Sequence, residues 1–176
     1  MSWTLDPYHA DVEFSARHMM VSTVKGHFTE FTAELEIDPE DLTKSSAKAT
    51  IKAASIDTRV GARNDHLRSA DFFDVEKYPN LTYQSRKIES VGGDRYRVEG
   101  DLTIKDVTKP VTLDVTFHGV RKSPQGQLVA GFEATGKINR SDFGLTYNAA
   151  LEAGGVVVGD EIKISIDAEA NQPAES

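Results

Sequence analysis

The sequence predicts an all-β fold of about eight antiparallel strands with one short helical insertion. Three observations support this prediction. Apolar and polar residues alternate with a period of two over most of the chain, as they do in strands with one buried and one exposed face. Turns containing glycine or proline separate the alternating segments. One segment, residues 62–73, departs from the alternation.

In the N-terminal half, strong alternation covers residues 12–18 and 24–37. The inward phase of the second segment slips by one residue, which predicts a β-bulge at residues 29–30 of the kind that bends a strand around a barrel. Weaker alternation predicts strands over residues 47–53 and 81–85.

Residues 62–73 form the predicted helical insertion. Ala62, Leu67 and either Ala70 or Phe73 recur there at helical rather than strand spacing.

The C-terminal half contains four further predicted strands, at residues 95–104, 111–117, 128–138 and 162–168. Turn-forming residues predict the connections, at residues 92–94, 109–110, 123–126 and 154–155. These strands are amphipathic, which is typical of antiparallel sheets.

The predicted inward face carries many small side chains, among them Ala16, Ala33, Ala49 and Ala134. A barrel of about eight strands is just wide enough to be filled by its own side chains or to hold one ligand. Small inward side chains would leave its interior partly unfilled. A two-sheet sandwich in which these alanines pack against facing Phe and Leu side chains fits the same pattern, so periodicity alone leaves both architectures open.

The length of 176 residues and the lack of an interdomain linker predict one domain, residues 1–170, followed by a flexible tail, residues 171–176. The net charge of −8 argues against sequence-independent binding to nucleic acid or to anionic membrane surfaces. No apolar run approaches the ~20 residues of a membrane-spanning helix. The first residues lack the basic and apolar regions of a secretion signal, so we expect a cytoplasmic protein.

The chain lacks the sequence patterns of common catalytic and metal sites. It contains no cysteine, and the predicted strand faces separate its five histidines, so we expect no metal and no other cofactor. We find no nucleophile elbow, metalloprotease helix or phosphate-binding loop, and we expect no catalysis. His18, on the inward face beside Phe14, fits either a hydrogen-bonded core histidine or a polar contact to a bound head group.

Arg59, Arg63 and Arg68 gather around the start of the predicted helix. Guanidinium groups beside helix amide groups can form a site for an anion. A solvated loop that balances the charges of Asp65 and Asp71 is the alternative interpretation. If a ligand with a polar head group is bound, Arg59 and Arg63 are the candidate contacts.

Several segments resemble the YceI-like family of lipocalin-like polyisoprenoid-binding proteins. The first is the opening pattern in which Trp3, Asp6 and His9 precede Phe14 and His18. The most specific is the block His66-Leu67-Arg68-Ser69-Ala70-Asp71-Phe72-Phe73-Asp74-Val75-Glu76-Lys77-Tyr78-Pro79. Shorter matches follow at residues 55–58, 100–104 and 139–144, so the resemblance covers nearly the whole chain.

The resemblance implies an extended antiparallel β-barrel with an elongated apolar pore and a short helix near one end. It also implies a long-chain isoprenoid or similar amphiphile in the pore, no catalysis and often a homodimer. The residues that we assign to the pore on this basis are predominantly aromatic: Phe14, His18, Phe28, Phe31, Leu35, Tyr83, Leu102, Phe117, Phe132 and Phe143. Phe72 and Phe73 would cap the pore from the helical segment.

We therefore predict a protein that binds a polyisoprenoid, an isoprenoid quinone or a similar long-chain lipid for transport, storage or sequestration. One alternative is an enzyme that acts on such a lipid, with His18 or a loop carboxylate as the catalytic group. Another is a protein-interaction module that recruits a partner through exposed strand edges.

Overall fold

The computed structural model describes residues 2–19, 21–147 and 158–172. Its strands are β1 (Ser2–His18), β2 (Ser22–Phe28), β3 (Phe31–Glu36), β4 (Ser46–Lys52), β5 (Ile56–Asp57), β6 (Asn80–Gly92), β7 (Arg95–Ile104), β8 (Val107–Lys122), β9 (Leu128–Asn139) and β10 (Val158–Gln172). The α-helix is α1 (Gly61–Arg68), and short 3₁₀ turns cover Leu42–Lys44, Ala53–Ser55 and Arg140–Phe143. Within the described residues, no helix is long and apolar enough to cross a membrane.

Eight of the strands close into an antiparallel barrel. Around the barrel the order is β1, β10, β9, β8, β7, β6, β4 and β3, after which β3 pairs with β1 again. The closing contact joins the two ends of the chain, since β1 pairs with β10 from Thr4↔Asn171 to His18↔Val158. This closure decides for the barrel and against the sandwich.

The predicted slip at residues 29–30 separates β2 from β3. The backbone N–H of Thr29 donates to Ser55 O (3.1 Å), and Lys52 N–H donates to Glu30 O (2.9 Å). Beyond this interruption β2 pairs with the C-terminal half of β1 and with the short strand β5. The predicted single bulged strand is therefore two separate strands, β2 and β3, both of which pair with β1.

Four predictions from the sequence differ from the structure or concern residues that the structure does not describe. The helix is shorter than residues 62–73, because Ser69 ends it by donating its backbone N–H and its hydroxyl to His66 O. The predicted turn at Lys109–Pro110 is wrong. Pro110 lies within β8, where β7 pairs with the strand and β9 does not, so the proline occupies an edge position of the kind that strands tolerate. Strand β10 extends through Gln172, two residues into the predicted tail, because that residue pairs with Leu128. The predicted turn at residues 154–155 and the rest of the tail lie outside the described residues.

Two apolar clusters lie toward the two ends of the barrel interior. At one end, Trp3 (2% exposed) packs with Leu35, Ala130 and Ala170. At the other, which we call the helix end, the segment that follows α1 contributes Phe72 to a larger cluster that contains Ile56 and Phe143. Side chains of both clusters, among them Leu35, Ile56 and Phe72, also line the cavity described below.

Glycine on the inner face makes room for aromatic rings, as Gly26 shows. Gly26 pairs with Phe14 across β1 and β2. A Cβ added to Gly26 would lie 2.8 Å from Cε1 of the Phe14 ring, which is closer than side chains pack. The ring of Phe14 therefore lies against the backbone of Gly26, where any Cβ would require the ring to move.

We expect Gly26→Ala to lower the free energy of unfolding by about 1–3 kcal/mol, because the methyl group would force the Phe14 ring out of its position. Urea denaturation would measure the loss. Gly61→Ala is the matched control, since nothing lies within 4 Å of a Cβ built there. An equal stability of the two variants would contradict the packing described.

Candidate functional site

A cavity of about 650 Å³ occupies the barrel interior. Its wall is predominantly apolar and takes side chains from all eight barrel strands and from the segment around α1. The small side chains in the wall are Ala16, Ala33, Ala47, Ala49, Ala134 and Ala168. An eight-stranded barrel with larger side chains at these positions would be filled. The alanines are thus the local cause of the cavity.

Eleven of the twelve residues assigned to the pore from the sequence line this cavity: Phe14, His18, Phe28, Phe31, Leu35, Phe72, Phe73, Tyr83, Leu102, Phe117 and Phe132. Phe28 lies at the centre of an aromatic group, with its ring centroid 5.5 Å from that of Phe14 and 6.0 Å from that of Phe73. Contact of these side chains with a ligand remains a prediction.

Phe143 is the exception. It is 2% exposed and packs in the core cluster at the helix end, outside the cavity wall. Alternation does not extend to this residue, because Arg140–Phe143 forms a 3₁₀ turn that ends in the left-handed conformation of Gly144 (φ 77°). The assignment of Phe143 to the pore is corrected accordingly.

The arginines near α1 do not form one cluster. Arg63 lines the cavity, and its guanidinium group donates to the hydroxyl (2.8 Å) and the carbonyl (2.6 Å) of Thr58. Arg68 points elsewhere and donates to the carbonyls of Ala54 and Ile56.

Arg59 lies outside the barrel, on a shallow second pocket of about 370 Å³. Its backbone N–H donates to Asp57 Oδ1 (2.9 Å), and this bond is the main reason why the pKa of the Asp57 carboxyl group is lowered. Arg59 and Arg63 thus line different pockets, and contact of either side chain with a head group remains a prediction.

The polar groups of the cavity wall differ between the two ends of the barrel. At the helix end lie Arg17, His18, Arg63 and His66. The ring of His66 packs edge-on against Phe72 (5.1 Å) and Tyr147 (4.8 Å), while its Nε2 is 2.8 Å from Asp71 Oδ2. Near Trp3 the wall instead carries the hydroxyl groups of Ser45 and Ser46. The basic side chains of the wall thus lie at the helix end, although the wall also includes Glu13, and Asp71 lies beside His66.

Arg140, which sequence reasoning placed only within a family motif, organises the helix end. It is 5% exposed, and its guanidinium group donates to four backbone carbonyls, those of Leu145 (2.7 Å), Tyr147 (2.9 Å), Val158 (3.1 Å) and Gly159 (3.1 Å). Burial lowers the pKa of Arg140. The side chain joins the chain that follows β9 to the beginning of β10, a role that no local pattern reveals.

The side chain of Tyr83 is partly buried in the cavity wall. Its hydroxyl donates to Val111 O at 2.9 Å, and burial raises its pKa to about 12. The raised pKa means that the folded protein holds this proton more tightly than the unfolded chain, whose tyrosines titrate near ~10. The contribution of Tyr83 to stability is therefore complete below about pH 10 and is lost as the pH rises through about 12.

We expect the stability difference between the wild type and Tyr83→Phe to shrink as the pH rises above about 10, because the unfolded wild type loses the Tyr83 proton there while the folded wild type keeps it, and phenylalanine has no such proton. Urea denaturation of both proteins between about pH 8 and pH 11.5 would measure it. A difference that stays constant over this range would contradict the assignment of the raised pKa.

The architecture and the cavity define the class of protein. An eight-stranded antiparallel barrel closed around an apolar interior is a lipocalin-like barrel. The chain belongs to the YceI-like family, since the YceI-like domain model matches residues 3–170.

Relatives support this membership over almost the full length. The chain is 44% identical over 168 residues to a UPF0312 protein of Staphylococcus epidermidis, an alignment that covers 95% of each chain. The crystal structure of BcnA from Burkholderia cenocepacia superposes with a TM-score of 0.80 at 30% identity, covering 94% of this chain and 98% of BcnA. A polyisoprenoid-binding domain from Saccharophagus degradans, implicated in plant cell wall breakdown, shares the fold with a TM-score of 0.69 at 17% identity, covering 97% of this chain and 98% of that domain.

Proposed function

We propose that this protein binds a long-chain isoprenoid or a similar amphiphilic lipid in the central cavity, for transport, storage or sequestration. The observation that carries the proposal is an apolar cavity of about 650 Å³ enclosed by a barrel whose wall is rich in alanine and phenylalanine. Natural ligand sites range over roughly 300–1,000 Å³. The structurally similar domain from Saccharophagus degradans, a polyisoprenoid-binding domain, adds support by analogy.

Burial of the apolar chain alone provides enough free energy for binding, without a polar contact to the head group. Transfer of about 20 methylene-like carbons from water contributes on the order of 16 kcal/mol, at ~0.8 kcal/mol per carbon. Loss of translational freedom and ordering of the chain offset a large part of this. An affinity in the micromolar to nanomolar range follows from the remainder.

The uneven distribution of polar groups along the cavity predicts the orientation in which the ligand binds. A charged or polar head group would be placed at the helix end, beside Arg63 and His66, with the apolar chain extending toward Trp3. Of the two arginines predicted from the sequence to contact a head group, Arg63 alone remains in this proposal, because Arg59 lies outside the barrel. The predicted homodimer and the cytoplasmic location remain predictions.

Mass spectrometry of an organic extract of the purified protein tests the function. We expect one long-chain lipid in near-stoichiometric amount, and saturable uptake of a fluorescent isoprenoid by the delipidated protein. Arg63→Gln should weaken binding of a prenyl diphosphate more than that of the corresponding alcohol. An extract without lipid, together with no uptake, would reject the proposal.

The same preparation separates the alternatives. Turnover of a bound lipid that His18→Gln abolishes while binding survives would favour the enzyme. A partner protein that copurifies with a lipid-free barrel would favour the interaction module.

A further inference from the structure

A cluster of three potential metal ligands lies outside the cavity, on the seam where the first and last strands meet. The pairing of β1 with β10 is interrupted there: Leu5 pairs with Ala170 and Ala10 pairs with Ala168. Residues 6–9 of β1 therefore face one residue of β10, Glu169. This bulge brings side chains from both ends of the chain to one point on the outer surface.

The three side chains are those of Asp6, His9 and Glu169. His9 Nδ1 lies 2.8 Å from Asp6 Oδ2 and 3.6 Å from Glu169 Oε2, and all three potential ligand atoms are within 4.8 Å of one another. Ligands held 2.0–2.2 Å from a tetrahedral zinc ion lie about 3.3–3.6 Å apart. Small side-chain rotations would bring the three atoms to these separations.

The bulge holds Asp6 in position. Asp6 Oδ1 accepts the backbone N–H of Tyr8 at 2.9 Å, and Asn171 Nδ2 lies 3.4 Å from Asp6 Oδ2. Hydrogen bonds of this kind to a ligating carboxylate orient it toward a metal. The side chain of Tyr8 itself points into solvent (92% exposed), so it leaves the cluster accessible.

His9 differs from the other surface histidines. His66 and His118 each have one carboxylate partner, Asp71 (2.8 Å) and Glu133 (3.6 Å). His27 pairs with Asp11 (2.8 Å) and also lies near Asp57, whose pKa it helps to lower. His9 has two, and within residues 2–19, 21–147 and 158–172 its group is the one that offers three ligand atoms. An isolated ion pair needs a single carboxylate, whereas a metal site needs convergent ligands.

We propose that Asp6, His9 and Glu169 form a binding site for a divalent transition-metal ion, with one imidazole and two carboxylate ligands. This ligand set suits Zn²⁺ and its neighbours rather than Mg²⁺, which prefers an all-oxygen shell. The bound ion would link the N-terminal strand to the C-terminal strand across the closing seam. It would therefore stabilise the closed barrel by binding the folded state only.

Calorimetric titration of the untagged protein with Zn²⁺, and with Mg²⁺ in parallel, tests the site. We expect saturable binding of one Zn²⁺, little binding of Mg²⁺, and a Tm that rises with Zn²⁺ concentration. His9→Gln and Glu169→Gln should each weaken Zn²⁺ binding about tenfold or more and remove the rise in Tm. His118→Gln is the matched control, because His118 has a carboxylate at the same distance as the His9–Glu169 pair but no second one.

Two results would overturn the proposal. The first is the absence of saturable Zn²⁺ binding below about 1 mM. The second is equal Zn²⁺ affinity of His9→Gln and His118→Gln when circular dichroism shows both to be folded. The site does not depend on a lipid in the cavity, so failure of lipid binding would leave its test unchanged.

Discussion

Replacing Ala49 and Ala134 together by tryptophan is expected to weaken isoprenoid binding by about 100-fold or more while the barrel stays folded. Both alanines line the cavity, Ala49 from β4 and Ala134 from β9. In the closed order of eight strands, β4 and β9 are four strands apart in either direction. The two indole rings would therefore enter the cavity from opposite walls.

The size of the effect follows from the space that the ligand loses. Exclusion of only four methylene-like carbons costs ~3 kcal/mol at ~0.8 kcal/mol each, which is about 200-fold in affinity. Because the rings enter a cavity rather than a packed core, we expect a smaller loss of stability than such an insertion normally causes.

The same strands offer the matched control. Lys48 and Glu133 are exposed and precede the two alanines, so their side chains project from the outer face. The Lys48→Trp, Glu133→Trp double variant adds the same rings without filling the cavity and should bind a fluorescent isoprenoid like the wild type. Equal uptake by both double variants, with native circular dichroism, would show that the ligand binds elsewhere.

The largest expected loss of stability follows from replacing Arg140. Arg140→Gln keeps a polar group but leaves most of the four carbonyls without a donor, and each buried unpaired carbonyl costs about 1–3 kcal/mol. We expect a loss of about 3–5 kcal/mol in the free energy of unfolding, measured by urea denaturation. Arg140→Lys should recover only part of it, because an ammonium group has three donors and lacks the planar geometry of guanidinium.

Arg86→Gln is the control for loss of an arginine as such. Arg86 is about half exposed and pairs with Asp101 at 3.0 Å on the outer surface. Exposed pairs contribute no more than ~1 kcal/mol. If Arg140→Gln were as stable as Arg86→Gln, the four carbonyl contacts would not hold this end of the barrel together.

The strands and most of the cavity wall were predictable because both depend on local alternation. A residue's parity within a strand decides its face, so Phe14, Phe117 and Phe132 could be assigned to the interior before the architecture was known. Odd or even position no longer indicates the face on which a side chain lies where the backbone leaves the strand. The 3₁₀ turn Arg140–Phe143 breaks the pattern, and Phe143 packs in a core cluster instead of in the cavity wall.

The amino-acid sequence by itself determined an all-β chain with an inner face of alanine and phenylalanine, because alternation and side-chain size are properties of neighbouring residues. Only the tertiary structure decided that the sheet closes, that Arg140 joins β9 to β10, and that Asp6 and His9 meet Glu169. Each of these depends on contacts between residues far apart in the chain, mainly across the β1–β10 seam. No short window of sequence contains both partners of such a contact, so local patterns cannot predict it.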